Sequence, residues 1–240
     1  MRDWDPVSPA SPAPRASPRR SSHSIDVVLF TPRGRQLAVL CVRAADPRAR
    51  EHWQLPYDRT VNDESLDAAA RRVVREACGL EPAWIEQVGA FADGLAHPGD
   101  PELSVAYAAV IPAASDVQRA GGEQAWFAVA EPPVLPARQQ AMLEAAVSAV
   151  RTRVDYAPIA FHLLPPQFTL SDLQRMYELL LGRRLHKASF RRALAATRLV
   201  EATDAWRSEG RGRPAQYYRF APRPRSAGHR SSRAVRFDRL

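Results

Sequence analysis

The sequence predicts an α+β fold over its first two thirds, joined to a small second domain built as helix, tight turn, helix and basic hairpin. Three observations lead there. Apolar runs of strand length alternate with turn residues from Ser24 to about Pro136. A single amphipathic helix interrupts those runs, and strands around one central helix define the α+β class. The last third then changes character, to paired helices followed by an Arg-rich tip.

The first two strands are SIDVVLF (24–30) and LAVLCVR (37–43), separated by TPRGRQ, in which Pro32 and Gly34 mark a turn. Further strands are QVGAF (87–91), SVAYAAVI (104–111) and AWFAV (125–129). Between the second and third lies LPYDRTVNDESLDAAARRVVREACGL (55–80). Its residues Leu66, Ala70, Val73, Val74 and Ala77 recur at helical spacing, and Gly79 stops the helix. ARQQAMLEAAVSAV (137–150) is a second helix, and the proline-containing segment 155–166 reads as the joint between domains.

The second domain opens with FTLSDLQRMYELLLGRR. Thr169 and Asp172 have capping-box spacing, Leu170, Leu173, Tyr177 and Leu180 form a buried stripe, and Gly182 ends the helix. After the turn RRLH comes KASFRRALAATRLV, with Phe190, Leu194 and Thr197 on one side and Lys187, Arg191, Arg192 and Arg198 on the other. VEATDAWRSEGRGRPAQYYRF then reads as a hairpin, and the whole follows a winged helix-turn-helix plan.

Composition fits a soluble globular chain, with 45% hydrophobic and 25% charged residues. No apolar run is long enough for a membrane span, and the Pro- and Ser-rich start lacks the apolar region of a secretory signal. Cys41 and Cys78 can neither frame a disulfide scaffold nor fill a zinc site, and a reducing cytoplasm suits them. Charge is divided unevenly: residues 1–150 carry a net −4 and residues 151–240 a net +12. Such asymmetry points to a nucleic-acid partner for the second half, although a solvated basic surface gives the same count. The expected division is a disordered tail (1–23), a first domain (24–153), the winged helix-turn-helix (154–222) and a basic disordered extension (223–240).

Residues 25–130 resemble a Nudix domain, an α/β/α sandwich, and residues 55–80 fall on its signature, Gly-x5-Glu-x7-Arg-Glu-hydrophobic-x-Glu-Glu-x-Gly-hydrophobic. Aligned on Gly79 and Leu80, the first glutamate is Glu64 and the arginine Arg72, while the three metal-associated glutamates fall on Val73, Glu76 and Ala77. Magnesium needs oxygen ligands, and positions 73 and 77 offer only an isopropyl and a methyl group. The expectation is an inert box, with no catalytic residues, no metal ligands and no required cofactor.

The degenerate box, EQVGAF (86–91), SVAYAAVIP (104–112), YAPIAFHLLPPQFTLSDLQRMYELLLG (156–182), FRRAL (190–194) and GRPAQYYRF (212–220) together resemble the NrtR-type, Nudix-related transcriptional regulators of bacterial NAD metabolism. That resemblance implies a homodimeric repressor whose Nudix part senses ADP-ribose or a related NAD-derived nucleotide and whose winged helices bind a palindromic double-stranded operator. Two departures leave the effector's identity open. Tyr57-Asp58 replaces a pair of glycines, and Arg138-Gln139 stands where family members often carry Asp-His.

For DNA, the second helix of the pair would enter the major groove with Lys187, Ser189, Arg191 and Arg192. Arg183 and Arg184 in the turn suit phosphates, and Arg211, Arg213 and Gln216 lie on the wing. For a nucleotide, a pocket between helix 66–78 and the sheet is expected, with Arg43, Trp53, Arg72, Glu76, Gln87 and Phe91 as candidates. Trp53 and Phe91 read equally as core aromatics, and Arg72 with Glu76 as a surface ion pair. Two other functions remain open at this level: a Nudix hydrolase of nucleoside diphosphate derivatives such as ADP-ribose, and an RNA-binding or scaffold protein.

Overall fold

The computed structural model describes residues 22–44, 52–61, 63–113, 123–155, 157–208 and 214–221. The first domain is a mixed sheet between two helices. Its strands are β1 (His23–Arg33), β2 (Gln36–Arg43), β3 (Trp53–Gln54), β4 (Tyr57–Arg59), β5 (Trp84–Phe91), β6 (Leu103–Val110) and β7 (Gln124–Ala128). The main order is β3-β2-β1-β6-β5, with β4 on β1 and β7 on β2. β1 runs parallel to β6, and the other pairings are antiparallel. Nearly every residue of β1 is buried because both sheet faces are covered, which explains why its sequence is a continuous apolar run.

One face carries α1 (Leu66–Cys78) and the other α2 (Ala137–Arg153). Ser65 caps α1 through Ala68 N–H, and Gly79 closes it at φ 73°. Leu66, expected in the buried stripe, is 37% exposed because it sits in the first turn, beyond the sheet. α2 runs three residues past the predicted Val150, to Arg153.

The segment read as a joint is packed where it is described. It holds the short helix α3 (Ile159–His162), and Ile159, Ala160, Phe161 and Leu163 are all buried. Beyond it come β8 (Phe168–Thr169), α4 (Leu170–Leu181), α5 (Lys187–Thr197), β9 (Val200–Arg207) and β10 (Ala215–Phe220), with strand order β8-β10-β9. The capping box on α4 is present in both directions, with Thr169 Oγ1 accepting from Asp172 N–H and Asp172 accepting from Thr169 N–H.

The core under α2 does not stop at the domain boundary. Val28, Met142, Ala146 and Val150 belong to the same apolar cluster as Phe161, Leu173, Tyr177 and Phe190. Phe161 is its junction: its ring stacks on Phe220 at 4.4 Å and meets Phe168 at 5.9 Å and Tyr177 at 6.4 Å. Phe161→Ala is therefore expected to cost about 3–5 kcal/mol of unfolding free energy. Urea denaturation of both chains measures the difference, and a loss below about 1 kcal/mol would contradict a shared core.

Candidate functional site

Sequence placed a pocket between α1 and the sheet; among the described residues that space is occupied by packed side chains. Ala69, Ala70, Val73, Val74 and Ala77 fill it against Ile25, Val27, Leu29, Tyr107 and Ala109. The six ligand candidates are also spread apart. Arg43 and Trp53 lie on the β2–β3 side of the sheet, Gln87 and Phe91 on β5 at the opposite edge, and Arg72 and Glu76 on the outer side of α1. Arg43 stands 5.5 Å over the Trp53 ring and Trp53 meets Phe127 edge-on at 5.0 Å. Trp53 and Phe91 are both partly buried against the core.

Arg72 is the centre of a charged cage. Its Nη1 donates to Asp58 at 2.6 Å and to Glu76 at 3.4 Å, and its Nη2 donates to Glu64 at 2.8 Å and to the Arg59 carbonyl at 2.8 Å. The hydrogen bond that it donates to Glu64 is the main reason the guanidinium is held even more firmly protonated than usual. Asp58, which replaces the signature's glycine, thus acquires a partner, and β4 and Glu64 are pinned to α1. The remaining departure, Tyr57, packs edge-on against His97 at 4.8 Å. Its ring occupies the space beside Gly99, where a Cβ would lie 2.7 Å away.

A divalent cation of the kind the Nudix signature implies does not fit these residues. Val73 and Ala77 are each 3% exposed within an apolar cluster, and Glu64 and Glu76 face a guanidinium. Among the described residues no group of three metal-ligating side chains comes together.

A second polar network, not anticipated from sequence, lies within the fold around Asp26. Gly99 N–H points at His97 Nδ1 at 3.0 Å, which makes that nitrogen an acceptor and places the ring proton on Nε2, 2.8 Å from Asp26 Oδ1. Gln139 Nε2 donates to the same oxygen at 2.9 Å, and the Ser24 hydroxyl donates to Oδ2 at 2.7 Å. Gln139 also accepts from Leu55 N–H at 2.8 Å, while Arg138 donates to the Pro101 carbonyl at 2.9 Å and Ser104 at 3.3 Å. The network ties the loops at 55 and 92–101 to the start of α2. Its one sequence signal was Asp26 itself, an acid inside an apolar strand that must find donors.

In the second domain α5 places Phe190, Leu194 and Thr197 inward, and Lys187, Arg191 and Arg192 fully outward. Ser189 is half-buried, with Oγ 3.3 Å from His186 Nδ1. The preceding turn is built by α4: Gln174 donates to the Leu185 carbonyl at 2.9 Å, and Glu178 accepts from Leu185 N–H at 3.0 Å. Arg183 and Arg184 are exposed there, Arg184 paired with Glu178 at 3.1 Å. Arg211 and Arg213 lie outside the described residues. Gln216 turns back into the hairpin and donates to the Thr203 carbonyl at 3.1 Å, so its amide is committed within the wing. Arg207, not singled out from sequence, ties the wing to Asp172 at 3.0 Å.

These features define a class: a Nudix-type domain with a degenerate box, joined to a winged helix whose second helix is basic on its free face. The model of the Nudix domain matches residues 21–146, and that of the NrtR DNA-binding winged helix domain matches residues 160–220. A relative from Acinetobacter baylyi, an ADPR responsive transcriptional repressor, NtrR, is 30% identical over 82% of this chain and 81% of its own. The crystal structure of Shewanella oneidensis NrtR is similar with a TM-score of 0.70 and 29% identity, covering 84% of this chain and 94% of that one. The same protein complexed with a 27mer DNA aligns with a TM-score of 0.68, 28% identity and the same coverage. The chain belongs to the NrtR family of Nudix-related transcriptional regulators.

The carboxylates named above set an acid limit on stability. The hydrogen bond from Arg72 holds Glu64 below the usual carboxylate range. Asp172 and Glu178 are also lowered: burial works against this, but Thr169 prevails for Asp172 and Leu185 N–H for Glu178. A group with a lowered folded-state pKa favours folding above its unfolded-state value, and that contribution disappears as pH falls through the lowered one. The thermal midpoint should therefore drop between about pH 5 and pH 3. Glu64→Gln, already lacking this charge, should show a shallower drop, and parallel pH curves would count against the cage.

Proposed function

We propose that this chain is a transcriptional repressor that binds double-stranded operator DNA through α5 and senses ADP-ribose, or a related NAD-derived nucleotide, through its Nudix domain. The carrying observation is the two-sided character of α5: Phe190 and Leu194 are buried beneath it while Lys187, Arg191 and Arg192 stand free on the other face. A helix seated that way presents fork-shaped donors to guanine O6 and N7 in a major groove, with Arg183 and Arg184 positioned for flanking phosphates. The DNA-bound Shewanella relative and the ADPR-responsive Acinetobacter relative support both halves of the reading. The domains divide near residue 154, the protein acts in the cytoplasm, and two copies read a two-fold operator.

The sensor does not hydrolyse its ligand. The carboxylate pair that would hold a cation and activate water is replaced by Val73 and Ala77, and regaining it would place two charges in a dry apolar cluster. The nucleotide lies against the Arg43–Trp53 pair, where a cation and a half-buried indole adjoin, and Gln87 and Phe91 on the other sheet edge take no part.

Two measurements test these statements. Arg191→Ala with Arg192→Ala should reduce binding of the promoter duplex by at least 100-fold in a mobility-shift assay, with unchanged circular dichroism. Undiminished binding would remove α5 from the mechanism. Incubation with ADP-ribose and manganese or magnesium should yield no AMP, and cleavage abolished by Glu76→Gln would restore the hydrolase reading.

A further inference from the structure

An open cleft of about 1290 Å³ separates the β1–β2 turn and α2 from the helix-turn-helix. Its lining includes six cations from both domains: Arg35 and Arg151 from the Nudix side, and Arg175, Arg183, Arg184 and Lys187 from the winged helix. Arg184 and Arg175 are paired with Glu178 and Asp172. Glu144, the other acid of the lining, accepts from Gln140 at 2.9 Å. Arg35, Arg151 and Lys187 are exposed and have no carboxylate partner among the described residues.

Arg151 has a defined position. A Cβ on Gly182 would lie 2.9 Å from its Nη2, so the guanidinium rests on the glycine that ends α4 and begins the turn into α5. Lys187 is the first residue of α5, at the other end of that turn. The Nudix arginine therefore stands beside the residues that would hold the backbone of a duplex read by α5. Guanidinium groups suit this role because their parallel donors match a phosphate's oxygens.

We infer that Arg35 and Arg151 of the Nudix domain bind the sugar-phosphate backbone of the operator, so that the DNA interface spans both domains. This rests on the reading that α5 enters the major groove, and deepens it: the sensing domain contacts the DNA directly. A shift of the Nudix domain relative to the turn would then withdraw two phosphate contacts together.

The test is fluorescence anisotropy of the full chain on its promoter duplex and on a scrambled duplex, each over a series of KCl concentrations. Arg35→Ala with Arg151→Ala should weaken binding to both duplexes by the same factor, about tenfold or more at 0.15 M salt. It should also reduce the slope of log K against log salt by about two per bound copy, and so by about four for an operator holding two copies, since each phosphate contact contributes about 0.9. Arg35→Lys with Arg151→Lys should recover most of the slope. An unchanged slope and affinity, in a preparation where the Arg191/Arg192 double alanine variant does lose operator binding, would overturn the inference and leave the role of α5 standing. Normal DNA binding with lost release by ADP-ribose would assign the cleft to a small phosphorylated ligand and overturn it too. A changed oligomeric state by light scattering would assign the cleft to a second copy of the chain, with the same consequence. If the unmodified chain binds neither duplex, both readings fall.

Discussion

Helix α2 is packed on two sides, and the rest of the architecture depends on that. One side lies on β1, β5 and β6 of the sheet, the other against α4 of the helix-turn-helix. Met142, Ala146 and Val150 therefore belong to a single apolar cluster with Phe161, Tyr177 and Phe190. Close-packed interiors yield little to small displacements and transmit them to their neighbours instead. A change at the sheet that moves α2 must be accommodated by α4, and α4 builds the turn that positions α5 through Gln174 and Glu178. Between α2 and α4 the described segment 157–164 is itself part of the packing.

The start of α2 carries the other half of this connection. Gln139 bonds both Asp26 in the central strand and the backbone of Leu55, and Arg138 reaches the carbonyl of Pro101. A buried carboxylate is tolerated only with a full set of donors, so Asp26, His97, Ser24 and Gln139 form a unit whose members cannot move independently. That unit joins the loops at 55 and 92–101 to the helix that packs on the winged-helix domain.

The Nudix box keeps the shape of its helix, with cap, stop glycine and arginine in place, while Val73 and Ala77, at positions where the signature has glutamates, are core residues. Arg72 now supplies the positive charge around which Asp58, Glu64 and Glu76 gather. The substitution of glycine by Asp58 is thereby compensated within the cage, and that by Tyr57 through the absent side chain of Gly99.

By itself the sequence determined the longer strands, though not the short β3, β4 and β8, three of the longer helices nearly to the residue, the capping box at Thr169 and the free basic face of α5. All are local: apolar periodicity, a cap or a glycine within a few residues is enough to specify each. The loss of the metal-binding carboxylates was legible for the same reason, since positions 73 and 77 of one helix are fixed by counting. What the tertiary structure alone decided are relations between distant residues. Asp26 meets His97 and Gln139 across 71 and 113 positions, a pairing that no local pattern encodes. The filling of the space under α1, the dispersal of the six ligand candidates over two sheet edges and the outer side of α1, and the continuity of one core through α2, α3 and α4 follow from how whole faces pack. Burial against a partner far along the chain, not any spacing within it, sets those outcomes.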